Sequence, residues 1–168
     1  MGDALHAAAL RLLTARALSE NELAQRLQRR GFAADAVALE LSRLRQAGLV
    51  DDVAVARATC ADLLRRGYGR KRLAAALARR GVAAQAAQQA LAEVSAEDER
   101  EALERALQRL HRRGRHGRTL PPERAKVVRY LLARGFPARL VARVGGSDEK
   151  SDDARTVPFD ERNSPAVS

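Results

Sequence analysis

The most regular feature of the chain is a spacing of apolar residues that occurs three times. Each occurrence has an apolar residue, a leucine four positions later, a glycine four positions after that, and a second apolar residue at the next position. Apolar residues four apart lie on one face of a helix, and a glycine followed by an apolar residue is typical of a Schellman helix ending. The pattern therefore predicts three helices with matching ends, at residues 23–32, 73–82 and 127–136.

Each of these helices lies between two further segments with helical periodicity, so the sequence predicts three repeats of three helices. Ala, Leu and Arg, which favour helix, dominate the composition, whereas aromatic residues make up only 3%. We expect an all-α fold of three tandem three-helix repeats in an elongated or curved array, followed by a disordered C-terminal tail. The expected boundaries are 1–51, 52–95 and 96–146 for the repeats and 147–168 for the acidic tail.

The same periodicity predicts where the individual helices lie. In the first two repeats they are expected at about 4–16, 19–31, 34–47, 52–65, 70–80 and 84–94. The third repeat is expected to open with a helix at about 97–112 and to close with a short helix that ends near residues 145–146. Proline is tolerated in a first helical turn, so Pro121 and Pro122 are expected to start the helix between these two.

Several residues are expected to have structural roles at the ends of these helices. Ser19 and Glu22 have the spacing of a capping box, in which each side chain bonds the backbone amide of the other residue. Asp51 and Asp52 follow Leu49 and open a helix, so capping explains this pair without acid–base chemistry. Glycines that end helices in the left-handed conformation are expected at Gly31, Gly48, Gly81 and Gly135.

Charge is unevenly distributed along the chain. The net charge is +10, but residues 147–168 hold six acidic and three basic residues, which leaves residues 1–146 with +13. Such a basic body implies a polyanionic partner, either nucleic acid or an acidic protein surface. Arginine accounts for 28 of the 31 basic residues. This bias fits bidentate binding of phosphate or carboxylate by guanidinium groups, and it also fits the codon usage of a GC-rich genome.

The rest of the composition argues against several classes of protein. The only cysteine, Cys60, permits no disulfide within the chain, fits a reducing cytosol and is expected to be a small buried apolar residue. The sequence has no secretory leader pattern and no stretch of the roughly 20 apolar residues that a membrane span needs, so we expect a cytoplasmic protein without a membrane partner. His111 and His116 alone do not make a metal site. Because no nucleotide-binding or catalytic motif is found, we expect a protein that needs no cofactor and is not an enzyme. We also expect a monomer.

A cluster of basic residues around one turn between helices is the first candidate for binding. Gly67 and Gly69 give that turn backbone freedom. Its cations can hold a phosphate or an acidic loop with help from helix N-terminal amides, although those at the preceding helix end can simply complement its dipole. The cluster consists of Arg65, Arg66, Arg70, Lys71 and Arg72.

Two further groups of arginines are candidates. The densest basic run can form a flexible phosphate-binding loop and consists of Arg109, Arg112, Arg113, Arg115 and Arg118. Other arginines precede the three repeat glycines, namely Arg29, Arg30, Arg79, Arg80 and Arg134. Cations are common in last helical turns, which is one explanation, and their repetition can also align them along one binding face. Of this group, Arg79 and Arg80 join the two clusters above as candidates for binding a polyanionic partner.

The boundary between the first two repeats carries a specific order of motifs. Residues 48–52 are Gly-Leu-Val-Asp-Asp, followed by a helix that ends in Arg65-Arg66, a Gly-Tyr-Gly turn, and the helix that ends at Gly81. This order resembles the RecX family of regulatory proteins, and the likeness covers about residues 8–144. It implies three tandem three-helix repeats and binding along the helical groove of the RecA–single-stranded DNA filament. There the family limits filament growth and depresses ATP hydrolysis, strand exchange and coprotease activity.

Two functions of different classes therefore remain open. The resemblance favours a regulator that docks on the RecA filament, with single-stranded or double-stranded DNA as a further partner. The alternative is a stand-alone basic nucleic-acid-binding helical protein, whose binding to bare DNA would weaken steeply with salt. The shortage of aromatic residues argues against a stacking platform for single strands.

Overall fold

The computed structural model describes residues 2–114 and 123–144, and these ranges form nine α-helices and no strand. The first repeat contains α1 (Gly2–Ala15), α2 (Glu20–Gln28) and α3 (Ala34–Gln46). The second contains α4 (Asp52–Arg65), α5 (Arg70–Arg79) and α6 (Ala84–Glu93). The third contains α7 (Ala96–Gly114), α8 (Arg124–Ala133) and α9 (Ala138–Val144). The all-α fold of three-helix repeats is confirmed, while the expected tail at 147–168 lies outside the described residues.

The three repeated helices end as the apolar spacing predicts. Their terminal glycines have positive φ angles, with values of 88°, 64° and 84° at Gly31, Gly81 and Gly135. In each case the amide of the next residue donates to the carbonyl five residues earlier, at 3.2–3.3 Å, which is the defining bond of a Schellman motif. A Cβ is strained in this backbone conformation, so these glycines determine where α2, α5 and α8 stop.

The start of α8 differs from the sequence prediction. The helix begins at Arg124, and Glu123 before it has a non-helical backbone with ψ of 133°. Pro121 and Pro122, which were expected to start this helix, lie outside the described residues.

The apolar residues form two separate cores rather than three. One core lies among α1, α2 and α3, and its most buried members include Leu23, Leu27 and Val37. The other is a single cluster that runs through the second and third repeats and includes Leu77 from α5 and Leu131 from α8. The third repeat thus shares the core of the second, whereas the first repeat buries its apolar residues on its own.

The double aspartate joins the first repeat to the second through helix caps. Asp51 accepts hydrogen bonds from the second and third amides of α4, its own helix, at 2.8 and 3.0 Å. Asp52 instead bonds other helices, because its Oδ1 accepts from the Glu20 amide at 2.9 Å and its Oδ2 from the Ala83 amide at 2.7 Å. A single carboxylate thereby caps α2 of the first repeat and α6 of the second. Both oxygens of Asp52 are occupied by backbone donors, which is a structural role.

Candidate anion-binding surface

The turn between α4 and α5 contacts the third repeat through its two glycines. A Cβ added at Gly67 would lie 2.9 Å from the Ala106 nitrogen, and one added at Gly69 would lie 2.6 Å from the Gly135 carbonyl. Because those neighbours are backbone atoms, neither position has space for a side chain. The Gly69 amide also donates to the Arg134 carbonyl at 2.9 Å. These glycines therefore bring α7 and α8 up against the basic turn.

Two arginines of the third repeat bind the carboxyl end of α4. Arg109 donates through Nη1 to the Arg66 carbonyl at 2.8 Å. Arg134 donates through Nη1 to the same carbonyl at 2.9 Å and to the Gly67 carbonyl at 3.0 Å. The last carbonyls of a helix lack partners within it and carry partial negative charge, so guanidinium groups stabilise this end. The structure thus joins two basic clusters that are more than forty residues apart in the sequence.

Aromatic rings hold the arginines of this region in place. The guanidinium of Arg134 lies over two rings, 4.7 Å from the centroid of Tyr68 and 4.8 Å from that of Tyr130. Arg66 and Arg72 also approach the Tyr68 ring, at 5.8 and 6.0 Å. Cation–π contacts of this length are favourable and leave guanidinium N–H groups available to other partners. We refer to the arginines around this turn, Arg65, Arg66, Arg72, Arg109 and the half-buried Arg134, as the basic corner.

Few carboxylates neutralise the basic corner. Asp62 pairs with Arg65 at 3.3 Å and with Arg66 at 3.4 Å, and all three side chains are about half exposed or more. Exposed ion pairs of this kind contribute little stability and exchange readily. Within residues 2–114 and 123–144, no ion pair to a carboxylate is found for Arg72, Arg109 or Arg134. The corner therefore has an excess of positive charge that a phosphate or a carboxylate from a partner can neutralise.

Two other members of the predicted turn cluster are placed differently. Arg70 points toward the end of α6, where it donates to the Leu91 and Val94 carbonyls and pairs with the buried Glu99 at 3.3 Å. These contacts fix α5 to α6 and α7 and occupy much of the guanidinium. Lys71 is exposed, and its amide donates to the Gly135 carbonyl at 3.1 Å. Lys71 thus stays available at the surface beside the corner, whereas Arg70 is used within the fold.

A groove of about 400 Å³ continues the basic surface toward the first repeat. Apart from Asp62, its charged lining residues are all arginines. They come from the end of α1, the end of α4 and the end of α5, so the groove crosses the boundary between the first two repeats. We call it the joint groove; its arginines are Arg16, Arg66, Arg79 and Arg80. Arg66 belongs both to this groove and to the basic corner, which makes the two surfaces continuous.

Arg80 is the most constrained of the groove arginines. It donates to both oxygens of Glu22, at 2.8 and 3.2 Å, to the Thr59 hydroxyl at 2.7 Å and to the Ala17 carbonyl at 3.0 Å. Its own carbonyl accepts from the Ser19 hydroxyl at 2.6 Å. Ser19 and Glu22 also form a capping box at the start of α2. The Arg80 side chain thus connects the second repeat to the cap of the first.

The carboxylate of Glu22 responds to these contacts. Partial burial acts to raise the pKa of Glu22, but hydrogen bonds from Arg80 and the Ser19 amide and the charges of Arg80 and Arg16 act to lower it. The lowering contributions outweigh burial, so the pKa of Glu22 lies below its ordinary value. Glu22 is therefore ionised in the folded protein near neutral pH and balances part of the charge of two groove arginines.

Arg79 is the arginine of the joint groove that no described carboxylate neutralises. It is exposed at the last turn of α5, and no carboxylate pairs with it among the residues that the structure describes. Apart from Arg109, the arginines of the densest basic run are not part of either surface. Arg112 is exposed near the end of α7, Arg113 lies in α7 without a described side chain, and Arg115 and Arg118 lie outside the described residues.

The structure adds Arg16 to the candidate residues, since sequence analysis did not single it out. Arg16 lines the joint groove and pairs with Glu22 at 3.2 Å. A possible signal was its place just after α1, three residues before the capping Ser19. The sequence predicts Arg134 only as one of the arginines that precede the repeat glycines, and its two tyrosine partners are not evident from its immediate neighbours in the sequence.

Chemistry other than binding has little support in the described ranges. Cys60 is 3% exposed, as predicted, and burial raises the pKa of its thiol, which disfavours the reactive thiolate. In the part of the chain that the structure describes, no group of three or more His, Cys, Asp or Glu side chains could hold a metal ion. None of the helices described there has the length and apolar character needed to cross a membrane. The exposed arginines remain the main chemical feature of the surface.

Comparison with known protein families agrees with this architecture. The model for the first three-helix domain of RecX matches residues 6–53, that for the second matches 51–91, and that for the third matches 97–144. The chain belongs to the RecX family. All three RecX domains are represented in order, and their matches correspond to the groups α1–α3, α4–α6 and α7–α9.

Individual RecX relatives and structures support the same assignment. The chain is 39% identical to the regulatory protein RecX of Mycobacterium sp. strain KMS, over 90% of this chain and 80% of that protein. It is 38% identical to the RecX of Chromohalobacter salexigens, over 76% of this chain and 82% of that protein. The crystal structure of RecX from Lactobacillus salivarius superposes with a TM-score of 0.74 at 18% identity and covers 87% of this chain and 95% of that one. The fold is thus shared even where the sequences have diverged.

Proposed function

We propose that this protein regulates the RecA recombinase by binding the RecA–single-stranded DNA filament. Bound there, it inhibits filament extension, ATP hydrolysis, strand exchange and coprotease activity. The observation that carries the proposal is its membership of the RecX family of regulatory proteins across all three domains. The protein acts by binding rather than catalysis, as a monomer in the cytoplasm.

The basic corner supplies a suitable contact surface for such a filament. A protein filament that carries DNA presents many negative charges in a regular array, and complementary charge speeds encounter and fixes orientation. Arg72 and Arg109 at the corner have no carboxylate partner among the described residues. Tyr68 and Tyr130 hold Arg134 in place, which reduces the entropy lost when a partner binds. We assign the corner to filament contact.

The direct test is the single-stranded-DNA-dependent ATPase activity of the cognate RecA. We expect suppression at well below one molecule of this protein per RecA, because a filament-bound regulator affects more subunits than it touches. The variant Arg72→Gln should need several-fold more protein for the same suppression. The matched control is Arg11→Gln, since Arg11 is an exposed helical arginine whose Nε bonds its own helix at Ala7 and which lies in neither basic surface.

The outcomes distinguish specific docking on the filament from nonspecific attraction by positive charge. If an equally basic unrelated protein suppresses the ATPase as well, or if the wild type has no effect at any ratio, the proposed function is wrong. If Arg72→Gln and Arg11→Gln weaken suppression equally, the basic corner is not the contact surface.

Stand-alone binding of nucleic acid is the second candidate function. The net charge of +13 on residues 1–146 favours it, since such a charge attracts phosphate backbones without any protein partner. This function predicts tight binding to bare oligonucleotides that falls steeply with salt, together with no effect on RecA at substoichiometric amounts. Fluorescence anisotropy with a labelled single strand, measured beside the ATPase assay, distinguishes the two.

A further inference from the structure

The joint groove has more positive charge than the fold itself requires. Two of its four arginines, Arg16 and Arg80, share a single carboxylate, that of Glu22. Asp62, the one carboxylate that lines the groove, is shared between Arg66 and Arg65, and Arg79 has no carboxylate partner in the described ranges. Like charges held close together repel, and this repulsion is relieved when an anion binds between them. The groove is therefore arranged to accept an anion.

The surroundings of the groove favour a nucleic-acid backbone over a protein surface. Protein partners gain most of their affinity from apolar and aromatic anchors that become buried at the centre of the interface. The large exposed apolar residues in the described ranges lie outside the groove, at Leu10, Leu39, Leu49 and Leu132. Phosphate contacts need only guanidinium, amide or hydroxyl donors, which the groove has.

The groove also has the continuity that a polymer needs. Arg66 connects it to the basic corner, so cations extend from the end of α1, across the second repeat, to α7 and α8 of the third. A single small anion would occupy one point of this surface. A phosphate backbone, with a charge on every nucleotide, can occupy several points of it.

We propose that the joint groove binds consecutive backbone phosphates of a nucleic acid, with Arg79 as the principal free donor and Arg16 and Arg66 beside it. Arg80 contributes charge while its hydrogen bonds hold the first repeat in place. The proposal deepens the proposed function, because on a RecA filament the nucleic acid is the bound DNA. It assigns contact with the DNA phosphates to the joint groove and contact with the rest of the filament to the basic corner.

The test compares Arg79→Gln with Arg11→Gln in the full chain, by anisotropy of a labelled single-stranded oligonucleotide across a range of salt concentrations. Both changes remove one exposed helical arginine without a carboxylate partner in the described ranges. We expect Arg79→Gln to weaken binding about fivefold or more. The slope of log affinity against log salt should fall by about 0.7, which corresponds to one lost phosphate contact on a single strand. The Arg11 variant should behave like the wild type, and a duplex oligonucleotide measured in parallel identifies the preferred form.

Other results would overturn the proposal in identifiable ways. Equal loss in both variants would mean that general charge, and not the groove, binds DNA. Unchanged DNA binding with reduced suppression of the RecA ATPase by Arg79→Gln would mean that the groove contacts the protein part of the filament. The function proposed above fails separately, if the wild type does not suppress the ATPase, whatever the oligonucleotide measurements give.

Discussion

The first and second repeats meet through polar groups, whereas the second and third are joined by a continuous apolar core. At the first joint, Asp52 and Arg80 bond backbone and side-chain groups of the first repeat. At the second joint, Leu64, Leu131 and Phe136 belong to one buried cluster. The two joints are therefore stabilised by different kinds of interaction, although all three repeats consist of three helices.

This difference indicates how cooperatively the parts of the molecule unfold. Apolar burial contributes in proportion to area and cannot be lost from one repeat without exposing the other. Hydrogen bonds and partly exposed ion pairs contribute less net free energy, because water replaces them when they open. We infer that the second and third repeats form one cooperative unit and that the first repeat opens from it at lower cost.

Truncation of the shared core should have the largest effect. Phe136 is fully buried and follows Gly135 at the turn that contacts α5. Phe136→Ala should lower the free energy of unfolding by about 3–5 kcal/mol, because it removes buried apolar area and leaves a cavity. Chemical denaturation followed by circular dichroism measures this loss. A loss below about 1 kcal/mol would contradict the assignment of Phe136 to a core that both repeats share.

Filling the close contact at the second joint should have the next largest effect. Gly69→Ala places a Cβ 2.6 Å from the Gly135 carbonyl, so the two repeats must separate, at a cost of about 2–3 kcal/mol. The control is Gly48→Ala, where the left-handed backbone is strained but no atom lies within 4 Å of the new Cβ. That change should cost about 1 kcal/mol. Gly69 has an extended backbone with φ of −89°, so strain does not contribute there, and a loss no larger than that of Gly48→Ala would mean that the close contact is unimportant.

Removal of the central arginine at the first joint should have a smaller effect. Arg80→Ala loses its bonds to Glu22, Thr59 and the Ala17 carbonyl, and we expect a loss of about 1–2 kcal/mol. The change should increase amide hydrogen exchange in α1–α3 and leave α7–α9 unchanged. Exchange that rises equally in all described helices would mean that the first joint is as tightly coupled as the second.

The smallest expected effect is the change in folding stability with pH that Glu22 causes at the first joint. The pKa of Glu22 is lowered in the folded state, so its contribution is present above the pKa of the unfolded chain, about 4.3. That contribution is lost as the pH falls through the folded pKa. The stability difference between wild type and Glu22→Gln should therefore be largest near pH 7 and decrease below about pH 4. Denaturation at several pH values tests this, and a difference that grows on acidification would contradict it.

Local features were predictable from the sequence, and contacts between distant parts of the chain were not. The Schellman endings and the Ser19–Glu22 capping box depend on residues within five positions of one another, so spacing alone indicates them. The second oxygen of Asp52 bonds an amide 31 residues away, and Arg80 reaches a carbonyl 63 residues away. A local sequence pattern cannot indicate contacts between residues so far apart in the chain. The basic turn was found from its composition, but its link to Arg109 depends on how the third repeat packs.

Uneven coupling between the repeats is the central claim, and native-state hydrogen exchange of the full chain in rising denaturant tests it most directly. We expect the amides of α1–α3 to exchange through one opening with a lower free energy, and those of α4–α9 to exchange together through a costlier one. Exchange of α4–α6 together with α1–α3, while α7–α9 opens separately, would contradict the claim. A single opening for all nine described helices would contradict it as well.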